Sequence, residues 1–343
     1  MSNFKKIAIL DVYSLLYRAF FAIPLLSTNN TPVNAIFGFI RILLKIYKDF
    51  KLDYLISCID KGKSGRNVIY NEYKSKRLPA TDLFKQQIPI IYEFYNSSKL
   101  KLLYKEGFEA DDIINTVIHK FVNQKINENN FIFIITGDSD LLQLINKNIF
   151  VVILKKGISE YILYDKQRFY NEYNFDSNYY LLYKILVGDN SDNIKGVDGI
   201  GPKKAKDFIK KIEQKFLDFE FTQDNIHFLA STLFTSFKLN ITIDKIKEII
   251  IRNYNLLKLK FIDDLEDFNL DSLEIRNNLI NKGFIDFLKK YNFKSILQEI
   301  QKEFNYLQLE EITANEKITT NEKDLAKDIT SKIKDTQKQL KLF

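Results

Sequence analysis

Nine acidic residues fall in five short clusters along this chain. They are Asp11, Asp60, the Glu109-Ala110-Asp111-Asp112 group, the Thr136-Gly137-Asp138-Ser139-Asp140 group, and Asp189 with Asp192 in Gly188-Asp189-Asn190-Ser191-Asp192-Asn193. Each lies just past a stretch that reads as a strand or at the start of a helix. Carboxylates gathered at the inner ends of apolar elements repel one another and lose hydration, which costs several kcal/mol per buried ion. Hard divalent cations relieve that cost, since Mg2+ takes oxygen ligands and keeps part of its water. His119, His227 and Cys58 are too few for a structural zinc site or a choice of Ser-His-Asp triads. Hydrolytic chemistry here must rest on carboxylates, lysines and metal ions, and the pattern points to a metal-dependent enzyme acting on phosphates.

The elements that would gather these acids are legible as short apolar runs of strand length at residues 4–10, 54–59, 100–104, 131–136 and 149–154. Helical patterns lie between them, clearest at residues 33–47, 87–95 and 111–122. Such alternation implies an α/β fold, a mostly parallel sheet with helices on both faces. Ligands of such sheets bind outside the carboxyl ends of the strands. Asp11, Asp60 and Asp138 follow strand ends, and Glu109, Asp111 and Asp112 open a helix, so topology brings remote acids to one edge. Singly, each could be a cap or turn residue; convergence of all five clusters favours a binding site.

Residues 61–85 carry Lys61, Lys63, Arg66, Lys74, Lys76, Arg77 and Lys85 against only Glu72 and Asp82, with Tyr70 and Tyr73 interleaved. Cations that track a backbone and rings that stack on bases suit single-stranded nucleic acid, and a long insertion beside an active-site edge is often functional. From about residue 176 helices take over. There Gly196-Val197-Asp198-Gly199-Ile200-Gly201 precedes Pro202-Lys203-Lys204-Ala205. Glycines in a tight turn let backbone N–H groups approach a phosphate, and the following helix presents its positive end. Pro202 suits the first helical turn. The glycine spacing is not that of a dinucleotide site, and a helix precedes it; the turn fits the helix-hairpin-helix class, which grips duplex backbone without reading sequence.

The chain of 343 residues has room for two domains, and its 45% hydrophobic content supports a real core. No apolar run approaches a membrane span, the amino terminus reads as a strand rather than a signal peptide, and a single cysteine in an apolar strand reads as a core thiol. A cytoplasmic protein is expected. The net charge of +7 suggests a polyanionic partner. An excess of Lys, Ile, Asn, Phe and Tyr also suggests an A+T-rich genome, so placement of charge is more telling than its total. Residues 306–343 hold seven acids and seven lysines, so they read as a neutral, polar tail.

Taken in order, these motifs resemble the 5′-nuclease or flap endonuclease family, specifically the 5′→3′ exonuclease domain of bacterial DNA polymerase I. The likeness covers about residues 5–304. It rests on Leu10-Asp11 with Tyr17-Arg18, Tyr73-Lys74 with Arg77, Gly107-Phe108-Glu109-Ala110-Asp111-Asp112, Thr136 to Asp140, and Gly188 to Gly201. Val12 stands where that family usually has glycine, and Gly65-Arg66 where it has Phe-Arg.

The resemblance implies a PIN-like 5′-nuclease core with a helical arch and a helical duplex-binding domain. It implies a Mg2+-dependent phosphodiesterase, with two or more metal ions and Mn2+ able to substitute, that cuts 5′ flaps and trims 5′ ends, including RNA primers, in replication and repair. The nine acids would hold metals directly or through water; Lys74 and Arg77 would sit in the arch beside the scissile phosphate. Arg18, Arg66, Tyr73, Gly196, Gly199, Gly201, Lys203 and Lys204 would contact DNA, with K+ at the glycine turn. The expected layout is a nuclease core at 1–175 with its arch at 61–98, a duplex-binding domain at 176–305 and a tail at 306–343. The expected protein is a monomer acting alone, without a polymerase region, on branched or nicked DNA. Two rivals are a ribonuclease of the related PIN-type fold, which would be much shorter, and a catalytically silent scaffold for branched nucleic acid, which would lack some of the acids. Finally, Gln339-Leu340-Lys341-Leu342-Phe343 resembles the peptide by which bacterial replication proteins dock on the sliding clamp, through Gln339, Leu340, Leu342 and Phe343.

Overall fold

The structure, a computed structural model, describes residues 4–303 apart from 125, 129, 156, 217–218 and 276–278. The expected tail and its clamp peptide, Gln339, Leu340, Leu342 and Phe343, lie outside the described residues. Six strands form the main sheet: β1 (Lys5–Asp11), β4 (Tyr54–Cys58), β5 (Lys101–Leu103), β6 (Asn130–Thr136), β7 (Ile149–Leu154) and β8 (Tyr161–Tyr164). Their spatial order is β5-β4-β1-β6-β7-β8. All neighbours are parallel except β7 and β8. Two small antiparallel hairpins pair β2 (Ser27–Thr28) with β3 (Thr31–Pro32), and β9 (Gly188–Asp189) with β10 (Ile194–Lys195).

Ile7, Ala8, Ile9 and Leu10 of β1 are buried, as are Ile132, Ile134 and Ile135 of β6. Uninterrupted apolar runs of this kind mark strands covered on both faces. The amphipathic helices α1 (Val12–Ala22), α2 (Asn34–Phe50) and α6 (Ala110–Asn123) supply the cover: α1 packs on α2, β1 and β6, and α6 on β1 and β4. Because β4 and β6 flank β1, the chain switches sides there, and a crevice opens at the carboxyl ends of those three strands. Val12 opens α1 fully buried, so the apolar side chain in place of glycine serves the core.

The basic stretch 61–85 is shaped rather than open loop. Lys61 bridges to Glu106 and Phe108. Two short helices follow, α3 (Arg66–Ile69) and α4 (Asp82–Lys85), before α5 (Ile88–Ser98). After β8, the β9–β10 hairpin apart, helices follow: α7 (Lys166–Tyr173), α8 (Tyr180–Val187), α9 (Pro202–Glu213), α10 (Gln223–Phe237) and α11 (Ile243–Leu257). Described residues up to Tyr95 and over Leu100–Ile275 form one compact unit, so α8–α11 belong with the sheet. Asn96–Lys99 and the described residues beyond Ile275 form a second unit. In it Asn281 caps the helix Lys282–Lys290 and donates to Ser98 O. Among the described residues no helix is long and apolar enough to cross a membrane.

Candidate active site

The crevice is a cavity of about 800 Å3 whose lining includes Asp11, Asp60, Glu109, Asp111 and Asp138, with Lys74 and Arg77. Asp11 ends β1 and caps α1, its Oδ1 accepting from Ser14 N. Its Oδ2 accepts from Thr136 Oγ1 at 2.7 Å, and Ser14 Oγ accepts from Gly137 N at 2.8 Å. The ends of β1 and β6 are therefore laced together, and any side chain added at Gly137 would strike Ser14 Oγ. Asp138 lies two residues past β6, its N–H bonded to Thr136 Oγ1 and its Oδ1 accepting from Asp140 N, both at 2.9 Å. Asp60 follows β4 and accepts from Ala110 N, at the start of α6, at 3.0 Å.

Asp11 and Asp111 have no basic side chain among the neighbours that shift them. Burial, then the neighbouring Asp60 and Asp138, push the Asp11 carboxyl up to about 7 against the help of Thr136 and Ser14. Burial and the acids Asp138, Asp11, Asp140 and Asp60 hold Asp111 well above the usual carboxylate range. Burial also raises Asp60.

Elsewhere protein cations intervene. Lys184, from α8, lies 2.6 Å from Asp140 Oδ1 and also pairs with Asp189. Burial and Asp138 raise Asp140 to about 7 despite Lys184. Asp189 is pulled down to about 2: burial opposes this, but Lys184 and the Ser191 hydroxyl outweigh it. Lys184 was not foreseen. Its signal was a lone lysine in the apolar helix Tyr-Leu-Leu-Tyr-Lys-Ile-Leu-Val.

The arch residues face the acids. Lys74 Nζ lies 2.8 Å from Glu109 Oε1 and 3.8 Å from Asp192 Oδ2, while Arg77 pairs with Asp192. Burial would raise Glu109, but Lys74 and Arg66 bring it below its ordinary value. The backbone keeps this arrangement: Lys74 N donates to Asp192 O at 2.9 Å, and Asn193 Nδ2 donates to Glu72 O at 3.0 Å.

Three sequence expectations need correction. Tyr73, taken as a stacking ring for DNA, is 4% exposed, and its hydroxyl donates to Glu109 at 3.0 Å. Arg66, taken as a DNA contact, is buried, and Asp112, taken as a metal ligand, is its partner. Both oxygens of Asp112 are held by Arg66, at 2.7 and 2.8 Å. Successive residues of a helix point about 100° apart, so Asp111 faces the cavity while Asp112 is turned into the core.

The glycine turn follows directly on β10, whose partner strand β9 ends at Asp189. Gly188 (φ +82°) and Gly196 are demanded by close backbone approach: a Cβ on Gly196 would meet Leu186 O at 2.3 Å. Gly199 has φ +83°, a conformation glycine adopts without strain. Gly201 stands at the N-cap of α9 with Pro202 first in the helix, and Lys203 and Lys204 are exposed there. Lys204 Nζ donates to Gly199 O at 2.8 Å. Arg18 lines the cavity and donates to Lys155 O.

Among the described residues, no three of these acids yet form a group ready to hold an ion. The donor set still fits hard divalent cations. All the ligands offered are carboxylates, and those of Asp11 and Asp111 are raised mainly by burial and acid neighbours.

A switch-point crevice lined by carboxylates on a mostly parallel sheet defines an α/β protein with an acidic site at the carboxyl ends of its strands. The fold is similar to that of the T5 D15 protein co-crystallized with metal ions (TM-score 0.54, 19% identity, covering 84% of this chain and 99% of that one). Residues 6–174 match the family described as 5′-3′ exonuclease, N-terminal resolvase-like domain. A 5′-3′ exonuclease of Aquifex aeolicus is 33% identical over 305 residues, 88% of this chain and 96% of that protein. DNA polymerase I of Caldicellulosiruptor bescii is 39% identical over 232 residues, 66% of this chain but only 26% of the polymerase. This chain belongs to the 5′–3′ exonuclease family.

Proposed function

We propose that the protein is a divalent-metal-dependent 5′→3′ exonuclease and 5′-flap endonuclease that removes flaps and primers during DNA replication and repair. The observation that carries the reading is the cavity in which Asp11, Asp60, Glu109, Asp111 and Asp138 face Lys74 and Arg77. Asp11, Asp60, Glu109, Asp111 and Asp138, with Asp140 beside them, would hold the tighter Mg2+; Asp189 and Asp192 would hold a second ion through water. Bound in such a pair, the cations supply charge neutralisation at the phosphate and ease deprotonation of the attacking water.

The chain's own groups do the rest. Lys74 and Arg77 are committed to Glu109 and Asp192. With divalent cations on those carboxylates, the Lys74 and Arg77 side chains would be free to meet the scissile phosphate, where charge develops. Arg18 meets the strand at the cavity wall. The turn through Gly196, Gly199 and Gly201, with Lys203, Lys204 and a K+ ion, grips the downstream duplex. The reading of the cavity as a metal site carries support from the T5 D15 protein, which was co-crystallized with metal ions. The outlying peptide Gln339, Leu340, Leu342 and Phe343 would dock on a sliding clamp, its polar tether raising the local concentration of enzyme. Absence of saturable binding of that peptide to the cognate clamp by fluorescence polarisation would end this part of the reading.

The test is cleavage of a 5′-flap duplex with Mg2+ or EDTA. Cutting near the junction, lost in EDTA, is expected. Lys74→Ala should slow single-turnover cleavage more than it weakens binding. Lys203→Ala should weaken binding and reduce its log-log salt slope by about 0.9. Cleavage that persists in EDTA would falsify the assignment.

A further inference from the structure

Arg66 is buried and absent from the cavity lining, yet its guanidinium makes five hydrogen bonds beside the site. Its side chain is 3% exposed. Nε donates to Leu256 O at 2.8 Å, and Nη2 to Asp112 Oδ1 at 2.7 Å and Lys258 O at 3.3 Å. Nη1 is shared between Asp112 Oδ2 at 2.8 Å and Glu109 Oε2 at 3.2 Å. The segment after α11 that supplies these carbonyls is itself stitched to α6. Lys260 N donates to Asp112 Oδ1 at 2.8 Å, Asn115 Nδ2 to Lys260 O at 3.0 Å, and Ile262 N to Thr116 Oγ1 at 3.1 Å.

One turn earlier, α11 holds the backbone that leads into the glycine turn. The buried Asn253 Nδ2 donates to Ile185 O and Lys195 O, both at 2.9 Å, and Arg252 Nη2 to Lys195 O at 2.6 Å. One helix thus seats the turn at Lys195 and, through residues 256–260, the guanidinium that touches Glu109.

We infer that Arg66 is a positioning residue: it fixes the Glu109 carboxylate for the metal, and Asp112 acts with it by taking the guanidinium's shorter bonds and so limiting how far it neutralises Glu109. The inference rests on the metal-dependent reading of the cavity. The division of labour follows from the distances. Asp112 takes the two shorter bonds in a fork that only arginine matches, leaving Glu109 the longer one and an oxygen, Oε1, turned to Lys74. Outer partners that orient metal ligands typically govern affinity or activity by about 10- to 100-fold.

The test uses the full chain, with Mn2+ as the probe, read by electron paramagnetic resonance without DNA. Arg66→Lys and Asp112→Asn should each weaken Mn2+ binding by about 10-fold or more. Each should lower the single-turnover rate on a flap duplex at limiting metal, with partial recovery at high Mn2+. The flap-duplex Kd in Ca2+ should stay within about 2-fold of the parent. Asp112→Asn preserves the side-chain shape, so it decides the matter if Arg66→Lys melts. Unchanged Mn2+ affinity in a folded variant overturns the inference. A loss of DNA affinity with normal Mn2+ binding overturns it too, returning Arg66 to the DNA surface. If the parent itself binds no Mn2+ and cleaves equally in EDTA, the fault lies with the metal reading of the cavity and not with Arg66.

Discussion

Two groups of buried carboxylates lie within the same unit and are treated in opposite ways. At the end of β1 and the start of α6, Asp11 and Asp111 are raised by burial and by neighbouring acids. A short distance away, Asp112 is locked to Arg66, and Asp189 is tied to Lys184. The second group has protein cations for partners: Asp112 behaves as architecture, and Asp189 would meet an ion only through water. The first lacks them, so its energetic cost is relieved only by something that binds. Unmet charge, more than the mere presence of acids, marks where a ligand belongs.

The largest effect expected from this contrast is on catalysis. Asp111→Asn should reduce single-turnover flap cleavage on the order of 10³-fold, the scale of losing a group that meets charge in the transition state. The same change should raise the melting temperature of the metal-free protein, because it removes a repelled carboxylate. Cleavage within a few-fold of the parent would dissolve the distinction between the two groups.

Lys184→Met should act the other way. Removing one partner of a buried pair leaves uncompensated charge and costs about 3–5 kcal/mol. Asp140 and Asp189 would both be stranded, and urea denaturation without metal should show the loss. Added Mg2+ should restore part of it by supplying the missing charge. An unchanged denaturation midpoint would show that Lys184 is not what holds those acids.

The smallest effect concerns pH. Asp11 and Asp140 titrate near 7 in the folded chain, against about 3.9 when unfolded. A raised carboxyl makes the native state bind more protons than the unfolded one between those values, so metal-free stability falls as pH rises through 7. Glu109 and Asp189, both lowered, change their contribution only at more acid pH. Lowering pH from 8 to 6 should therefore stabilise the metal-free protein on the order of 1 kcal/mol per carboxyl. Saturating Mg2+ should flatten or reverse that slope in a calorimetric scan. A metal-free melting point that drops over this interval would contradict the shifts.

Much of the site was legible before the fold because parallel strands are read as apolar runs, and the residue after such a run lies at the functional edge by topology. Asp11, Asp60 and Asp138 needed nothing more. The run at 149–154 matches β7 in full. What stayed hidden depended on direction or partnership. The sequence gives no sign that Asp112 turns away while Asp111 faces the cavity, nor that Arg66 reaches a segment 190 residues later. Tyr73 has the composition of a stacking ring and the position of a buried donor to Glu109. The edge strand β8 is four residues long and antiparallel, too short for a periodic signal.

The account's central claim is that the carboxylates lining the cavity, and not Asp112 turned away from it, bind the catalytic cations. The most direct measurement is anomalous diffraction from crystals soaked in Mn2+. The expected result is density among Asp11, Glu109, Asp111 and Asp138, with none at the Arg66–Asp112 pair. Soaked crystals with an empty acid cavity, or with Mn2+ seated instead on Asp112, would contradict it.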